Sequence, residues 1–277
     1  MKTPDIPLAG VIGAPIAHSK SPLLHRHWLD TYRLKGFYVP MEVAADDLEQ
    51  VLRTLPKAGF VGVNVTIPHK EAVLKIVDHV SERASRIGAA NTITFRREGT
   101  IEADNTDGYG FLQNLREGAP DWRATESPAL VLGAGGAARA VIVALLDAGV
   151  PQIILTNRTR VRAENLQSIF GQKIRVIDWQ ETESTLGSVG LIVNSSSLGM
   201  VGEPPLPMTW DDLRSDTVVT DLVYNPLRTA LLEFAAARGC VTVDGLGMLL
   251  HQGVPGFTSW FGTRPDVTEA TRRAVLA

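Results

Sequence analysis

The chain has almost no cysteine. The single one, Cys240, excludes an internal disulfide. It sits in Cys240-Val241-Thr242-Val243, a buried strand pattern, and is expected to be a packing residue. No apolar run approaches the ~20 residues of a membrane-spanning helix. The N-terminus, with Asp5 and Pro7 and no long apolar region, does not read as a secretory signal. No CxxC or HExxH pattern offers a metal site, so no metal is expected. Charge of one sign is also lacking: the formal net charge is −3 over 277 residues, which offers no bulk attraction to nucleic acid or membranes. These absences predict a cytoplasmic protein in a reducing compartment. What is present is ordinary globular composition, 44 % hydrophobic and 21 % charged, long enough for two domains.

The most informative stretch is Gly133-Ala134-Gly135-Gly136-Ala137-Ala138. An apolar run, Ala129–Leu132, precedes it, and a helical pattern from Ala137 to Ala148 follows and closes at Gly149. A second apolar run, Ile153–Leu155, ends at Asn157-Arg158-Thr159. Strand, glycine turn, helix and strand are the context that a dinucleotide fingerprint requires. Gly133 permits the turn, Gly135 allows backbone to approach a diphosphate, and the helix N-terminus faces an anion. An NAD binder usually places Asp or Glu at the end of the second strand. Here Arg158 stands there, with Arg162 one turn into the next helix. Guanidinium groups suit a 2′-phosphate. Two charge-assisted bonds of roughly 1.5–3 kcal/mol each predict NADP over NAD by roughly 10²–10⁴.

The segment before the fingerprint has its own α/β rhythm. Strands are expected at 8–12, 37–43 and 60–67, and helices at 21–34, 46–55 and 70–77. The first of these helices reads as capped by Ser21 with Pro22 at its first position. Such alternation implies parallel strands with crossover helices. Residues 90–95 and 100–103 read as a hairpin, and 106–115 as a helix. After the fingerprint, strands are expected at 174–177, 191–194, 218–222 and 241–243. The tail from Gly247 is helical and has no strand, so it must pack on something already built. The expected fold is therefore α/β with two domains, a substrate domain over 1–106 with a mostly parallel sheet and a Rossmann-type domain over 107–244. Helices over 245–277 are expected to return to the first domain.

Polar clusters fall at the carboxyl ends of the expected strands, where open α/β sheets bind ligands. His18-Ser19-Lys20-Ser21-Pro22 offers two hydroxyls near a helix N-terminus, suited to a small carboxylate, although Ser21 could be only an N-cap. Asn64 and Thr66 lie two apart on a strand and so share a face. Lys70 follows at an expected helix start, a poor place for a cation. Asn91-Thr92 and Asp104-Asn105-Thr106-Asp107-Gly108 are the next clusters, with Asp107 readable as a first-turn acid. Asp244-Gly245-Leu246-Gly247-Met248 is the last, with Gln252 about a turn later, and its paired glycines imply close backbone approach or a hinge. Many hydroxyl-reading groups with one carboxylate site imply a small, polyhydroxylated, anionic ligand. With NADP, the implied reaction is hydride transfer at a carbonyl or alcohol.

At this point the chain resembles the shikimate dehydrogenase family. The resemblance runs through Gly13-x-Pro15-x-x-His18-Ser19-x-Ser21-Pro22, Asn64-Val65-Thr66-x-Pro68-x-Lys70 and Gly88-Ala89-x-Asn91-Thr92. It continues through Asn105-Thr106-Asp107-Gly108, the glycine turn, Asn157-Arg158-Thr159-x-x-Arg162 and Asp244-Gly245-x-Gly247-Met248. The resemblance implies NADP-dependent interconversion of 3-dehydroshikimate and shikimate, on the route to chorismate and aromatic amino acids. It assigns Ser19, Ser21 and Tyr224 to the substrate carboxylate. Asn64, Thr66, Lys70, Asn91, Asp107 and Gln252 are assigned to the ring hydroxyls, with Lys70 and Asp107 as the catalytic pair. On the cofactor side it implies Gly133, Ala134, Gly135, Gly136, Ala137, Asn157, Arg158, Thr159, Arg162, Leu222, Gly245 and Glu82. His69 departs from the family's frequent Phe, and Ser195 from its usual Ala or Thr. The chain is expected to act as a monomer or homodimer. The rival readings are a relative accepting quinate, with NAD, a non-catalytic NADP or shikimate sensor, and a folate-linked dehydrogenase. A sensor is expected to lack the Lys70–Asp107 pair, and the folate-linked enzymes find no support in the serine cluster.

Overall fold

The computed structural model describes residues 6–277, and Asp5, used above to read the N-terminus, lies outside the described residues. The chain forms two compact units, one built from the residues up to Gly110 together with Leu249–Ala277 and the other from Phe111–Met248.

The first unit begins β1 (Leu8–Gly13), α1 (Ser21–Thr31), β2 (Phe37–Glu42), α2 (Leu48–Thr54), β3 (Phe60–Val65). It continues β4 (His79–Val80), α3 (Glu82–Ile87), β5 (Thr92–Phe95), β6 (Ile101–Asp104) and the first turn of α4 (Asp107–Gly118). The strands form one sheet in the order β2-β1-β3-β5-β6-β4. β1 runs parallel to β2 and β3, β5 is antiparallel to β3 and β6, and β4 is parallel to β6. The expected hairpin is thus β5–β6. Alternate strand residues feed opposite faces. Ile12, Val63, Val65, Ile93 and Ile101 pack with Leu48 and Leu52 of α2, while Ala9, Val11 and Tyr38 pack with Trp260 on the other face.

The segment 70–77 corrects an expectation. It is a turn followed by a short 3₁₀ helix at Ala72–Lys75. The Lys70 carbonyl accepts from the Ala90 amide at 2.8 Å, and the Asp78 amide donates to the Ile101 carbonyl at 3.0 Å. Those bonds hold both ends of the segment to other parts of the unit and leave it one short turn. Lys70 is therefore not at the start of an α-helix, and the dipole argument made for it does not apply.

The second unit contains β7 (Ala129–Leu132), α5 (Gly136–Asp147), β8 (Ile153–Thr156), α6 (Arg160–Phe170), β9 (Ile174–Val176) and β10 (Leu191–Asn194). It closes with β11 (Val218–Asp221), α7 (Ala230–Ala237), β12 (Val241–Val243) and the start of α8 (Leu246–Phe261). Its sheet order, β9-β8-β7-β10-β11-β12, is parallel throughout. Numbered within the unit this is the 3-2-1-4-5-6 order of a Rossmann sheet, with its switch point between β7 and β10. Both faces are covered: Ala129 and Val131 pack with Val141 and Leu145 of α5, while Leu130 and Leu132 pack with Leu231 and Leu232 of α7. Burial on both faces explains why these strands read as unbroken apolar runs.

From Leu249 the chain belongs to the first unit. The remainder of α8 and α9 (Glu269–Leu276) pack there, with Trp28 Nε1 donating to the Asp266 carbonyl at 3.2 Å and Trp260 Nε1 to the Ile93 carbonyl at 3.1 Å. Among the described residues no helix is long and apolar enough to cross a membrane.

Candidate active site

In the first unit the carboxyl ends of β3 and β6 and the turns beyond them gather one polar network. Lys70 Nζ lies 2.5 Å from Asp107 Oδ2, and the two side chains are 17 % and 6 % exposed. Asp107 opens α4, where the helix dipole favours a carboxylate. Its amide donates to Asn105 Oδ1 at 3.0 Å. Its second oxygen accepts from Asn91 Nδ2 at 2.8 Å, and the same nitrogen lies 3.0 Å from Gln252 Oε1. Asn91 Oδ1 accepts from the Thr106 amide at 2.9 Å. Asn64, at the end of β3, donates through Nδ2 to the Asn91 carbonyl at 3.0 Å and accepts from the Tyr38 hydroxyl at 2.7 Å. An ammonium held by a carboxylate, amid carboxamides in a largely buried setting, can polarise a carbonyl and exchange a proton with it.

The structure thus joins Asn64, Lys70, Asn91, Asp107 and Gln252 directly. Ser21 lies beside the Tyr38 hydroxyl and partly offsets the upward drive of that phenol. Ser19 Oγ accepts from the Ser21 amide at 3.4 Å. Two local readings change. Ser21 is the first residue of α1, not its cap: Lys20 occupies the cap position, no side chain caps the helix, and Ser21 is buried. Thr66 lies beyond β3, which ends at Val65, so it does not share a strand with Asn64. His69, buried, places its Nε2 2.8 Å from the Val43 carbonyl. Glu82 is an exposed first-turn residue of α3, whose cap, Ser81, accepts from the Ala84 amide at 3.0 Å.

In the second unit the glycine turn joins β7 to α5. Gly133 has φ +108°, and a Cβ there would sit 2.9 Å from Ser195 Oγ and 3.0 Å from the Ser196 amide nitrogen, so only glycine fits this turn. Ser195 donates to the Leu132 carbonyl at 2.8 Å, fastening β10 to β7 at the switch point. Gly135 caps α5 with no side chain, and the first turn holds no acidic residue. The first-turn amides of Gly136 and Ala137 are therefore open to an anion. Asn157 Oδ1 accepts from the Ala134 amide at 3.1 Å and its Nδ2 donates to the Thr159 carbonyl at 2.9 Å, tying the glycine turn to the end of β8.

Three arginines lie close together in sequence here, and they differ. Arg160 is engaged by Asp178 at 2.6 Å and Glu164 at 2.8 Å. Arg158 and Arg162 are exposed, and no hydrogen bond or ion pair among the described residues engages them. The pair at the end of the second Rossmann strand is free for an anion, and the third is neutralised.

After β11, Asp221 is fully buried and accepts from Asn194 Nδ2 at 2.9 Å, the Val223 amide at 3.0 Å and Thr229 Oγ1 at 2.7 Å. Burial pushes its carboxyl up to about 6. These bonds hold the loop that carries Leu222 and Tyr224. A Cβ on Gly245 would lie 2.3 Å from the Leu222 carbonyl oxygen, so close backbone approach explains this glycine.

Tyr38, Asn194 and Asp221 were not singled out from sequence. The available signal for Tyr38 was a phenol on the inward phase of a strand, where a polar tip needs a partner. For the other two it was a buried polar residue ending an apolar strand.

A Rossmann sheet with an open helix N-terminus, in a chain that also buries a lysine–aspartate pair among carboxamides, defines a dinucleotide-dependent oxidoreductase. Family models agree: residues 11–93 match the shikimate dehydrogenase substrate binding domain, 119–200 the shikimate / quinate 5-dehydrogenase model and 245–276 the shikimate 5'-dehydrogenase C-terminal domain. The chain is 69 % identical over 276 residues, 100 % of both chains, to the shikimate dehydrogenase (NADP(+)) of Roseobacter denitrificans. It is 59 % identical to that of Ruegeria sp., over 98 % of both chains. Its fold matches shikimate 5-dehydrogenase from Thermus thermophilus in complex with NADP(H) and shikimate, with TM-score 0.86, 37 % identity and 98 % of both chains covered. It also matches quinate dehydrogenase from Corynebacterium glutamicum in complex with NAD, with TM-score 0.91, 31 % identity and 99 % coverage of both. The chain belongs to the shikimate dehydrogenase family.

Proposed function

We propose that this chain catalyses the NADP-dependent, reversible reduction of 3-dehydroshikimate to shikimate, with Lys70 and Asp107 as its catalytic pair. The observation that carries the reading is the 2.5 Å contact between Lys70 Nζ and Asp107 Oδ2, held in place by Asn91. NADPH, when bound, supplies the hydride that reduces the substrate carbonyl. Lys70 stabilises the negative charge developing on the carbonyl oxygen and donates a proton to it from Nζ. In the oxidative direction Nζ takes the proton of the substrate hydroxyl. Asp107 aims the ammonium and Asn91 aims Asp107. Positioning of this kind contributes through geometry that exists before substrate arrives.

Asn64, Thr66, Asn91, Asp107 and Gln252 are the proposed readers of ring hydroxyls, and Ser19, Ser21 and Tyr224 of the carboxylate. That Ser21 caps no helix and lies beside Tyr38 supports a recognition role for its hydroxyl. The open first turn of α5, with Gly133–Ala137, fits a diphosphate, and the unengaged Arg158 and Arg162 fit a 2′-phosphate. Asn157 and Thr159 shape that turn, with Leu222 and Gly245 proposed as backbone contacts to the cofactor and Glu82 as a further cofactor residue.

Initial rates with shikimate and with quinate, each with NADP and with NAD, test the reading. The expected result is preference for shikimate with NADP. Preference for quinate with NAD would support the quinate relative instead. Binding of NADP and shikimate without turnover would identify a sensor.

A further inference from the structure

Tyr38 has no substrate contact assigned to it above; Ser21 lies beside its hydroxyl, which donates to Asn64 Oδ1 at 2.7 Å. The torsion that turns a carboxamide about its last bond is soft and broadly populated. Two hydrogen bonds to opposite ends of the amide define its plane, and one does not. In Asn64 the nitrogen end is held by the Asn91 carbonyl at 3.0 Å, with a longer 3.4 Å approach to Thr92 Oγ1. The oxygen end is held by Tyr38.

Tyr38 is in turn fixed. Its ring stacks on His25 with centroids 3.9 Å apart and planes 7° from parallel. His25 is 0 % exposed, and both its ring nitrogens lack any hydrogen-bond partner among the described residues. Burial drives it down to about 3, so it stays neutral and supplies a flat wall without competing for the phenol. Burial also drives the Tyr38 phenol well above its ordinary value, so its hydroxyl keeps the proton that it donates.

We infer that Tyr38 is a positioning residue for substrate recognition, acting through Asn64 by fixing the plane in which that carboxamide meets the substrate. The inference rests on the proposed role of Asn64. Asp107 holds Lys70 without Tyr38, so the effect belongs to substrate binding and not to the chemical step.

The test is a double-mutant cycle of Tyr38→Phe and Asn64→Ala, read by steady-state kinetics with shikimate and NADP. Tyr38→Phe keeps the ring and its stacking surface and removes only the hydroxyl. It is expected to raise KM for shikimate roughly 10-fold and leave kcat within about twofold, because a buried carboxamide oxygen loses its donor. KM for NADP stays at the wild-type value. Asn64→Ala raises KM for shikimate by itself, and adding Tyr38→Phe to it changes nothing more. Wild-type KM in Tyr38→Phe, beside a raised KM in Asn64→Ala, overturns the inference alone. So do multiplicative effects in the double variant, or an equal rise in KM for NADP, which would mark a general loosening of the fold. Wild-type KM in Asn64→Ala overturns the recognition reading itself, and the inference with it. If the alanine variant fails to fold, Asn64→Ser completes the cycle.

Discussion

At the scale of single residues, His25 offers a test of how far burial governs this unit. In the folded chain its imidazole is neutral and lowered to about 3, whereas exposed in the unfolded chain it titrates near 6.5. Between those values the unfolded state binds more protons. The stabilising contribution of keeping His25 neutral is therefore full above pH 6.5 and lost as the pH falls toward 3. The slope is at most about 1.4 kcal/mol per pH unit. In urea unfolding, His25→Phe should gain stability relative to the wild type as pH drops from 6.5 to 4. Parallel curves for the two proteins would contradict this. Residue identities show unevenly in sequence. Asn64 stood out because an apolar strand has no structural need for a polar residue at its end, and Lys70 because a cation is poorly placed at an expected helix start, although that start is a turn in the structure. Tyr38 did not, because its partner Asn64 is 26 residues away and no local spacing relates them. Ser21-Pro22 looked like a cap and a first helical residue. The helical backbone of Lys20 moves the boundary by one and frees the Ser21 hydroxyl from capping.

At the scale of elements, the β7–α5–β8 unit and the start of α6 are where the proposed cofactor preference is tested. In the proposed reading the open helix N-terminus serves the diphosphate common to NAD and NADP, and Arg158 and Arg162 serve only the 2′-phosphate. Replacing both arginines with neutral residues should lower NADP affinity by roughly 10², the lower end of the range for two charge-assisted bonds, because both side chains are exposed and screened. NAD affinity should barely move, and the NADP effect should shrink at high salt. Titrating both cofactors against wild type and the double variant measures this, and equal losses would remove the basis of the assignment. This element was legible because glycine punctuation and two short apolar runs fix strand, turn and helix together. The segment after β3 was not. Val73, Leu74, Ile76 and Val77 give a helical pattern, but the Lys70 carbonyl is taken by the Ala90 amide and the pattern collapses to one short 3₁₀ turn. The two-residue β4 was invisible for a related reason, since its pairing with β6 is made by position and not by propensity.

At the scale of the whole molecule, the alternation of strands and helices and the strandless tail gave the fold class directly. A strand buried on both faces must be apolar along its length, and a helical tail with an apolar face must find existing structure. The reversal at β5, the one strand of the first sheet antiparallel to both its neighbours, was announced by Glu98-Gly99 between two short runs. In the proposed reaction this chain reduces 3-dehydroshikimate with NADPH through Lys70. The most direct test is kcat for shikimate oxidation by NADP in Lys70→Ala, with thermal unfolding and NADP binding measured on the same preparation. A fall of roughly 10²–10⁴ in kcat is expected, the usual contribution of a positioned acid–base group, with folding and NADP binding as in the wild type. Turnover within a few-fold of wild type in a correctly folded Lys70→Ala protein would contradict it.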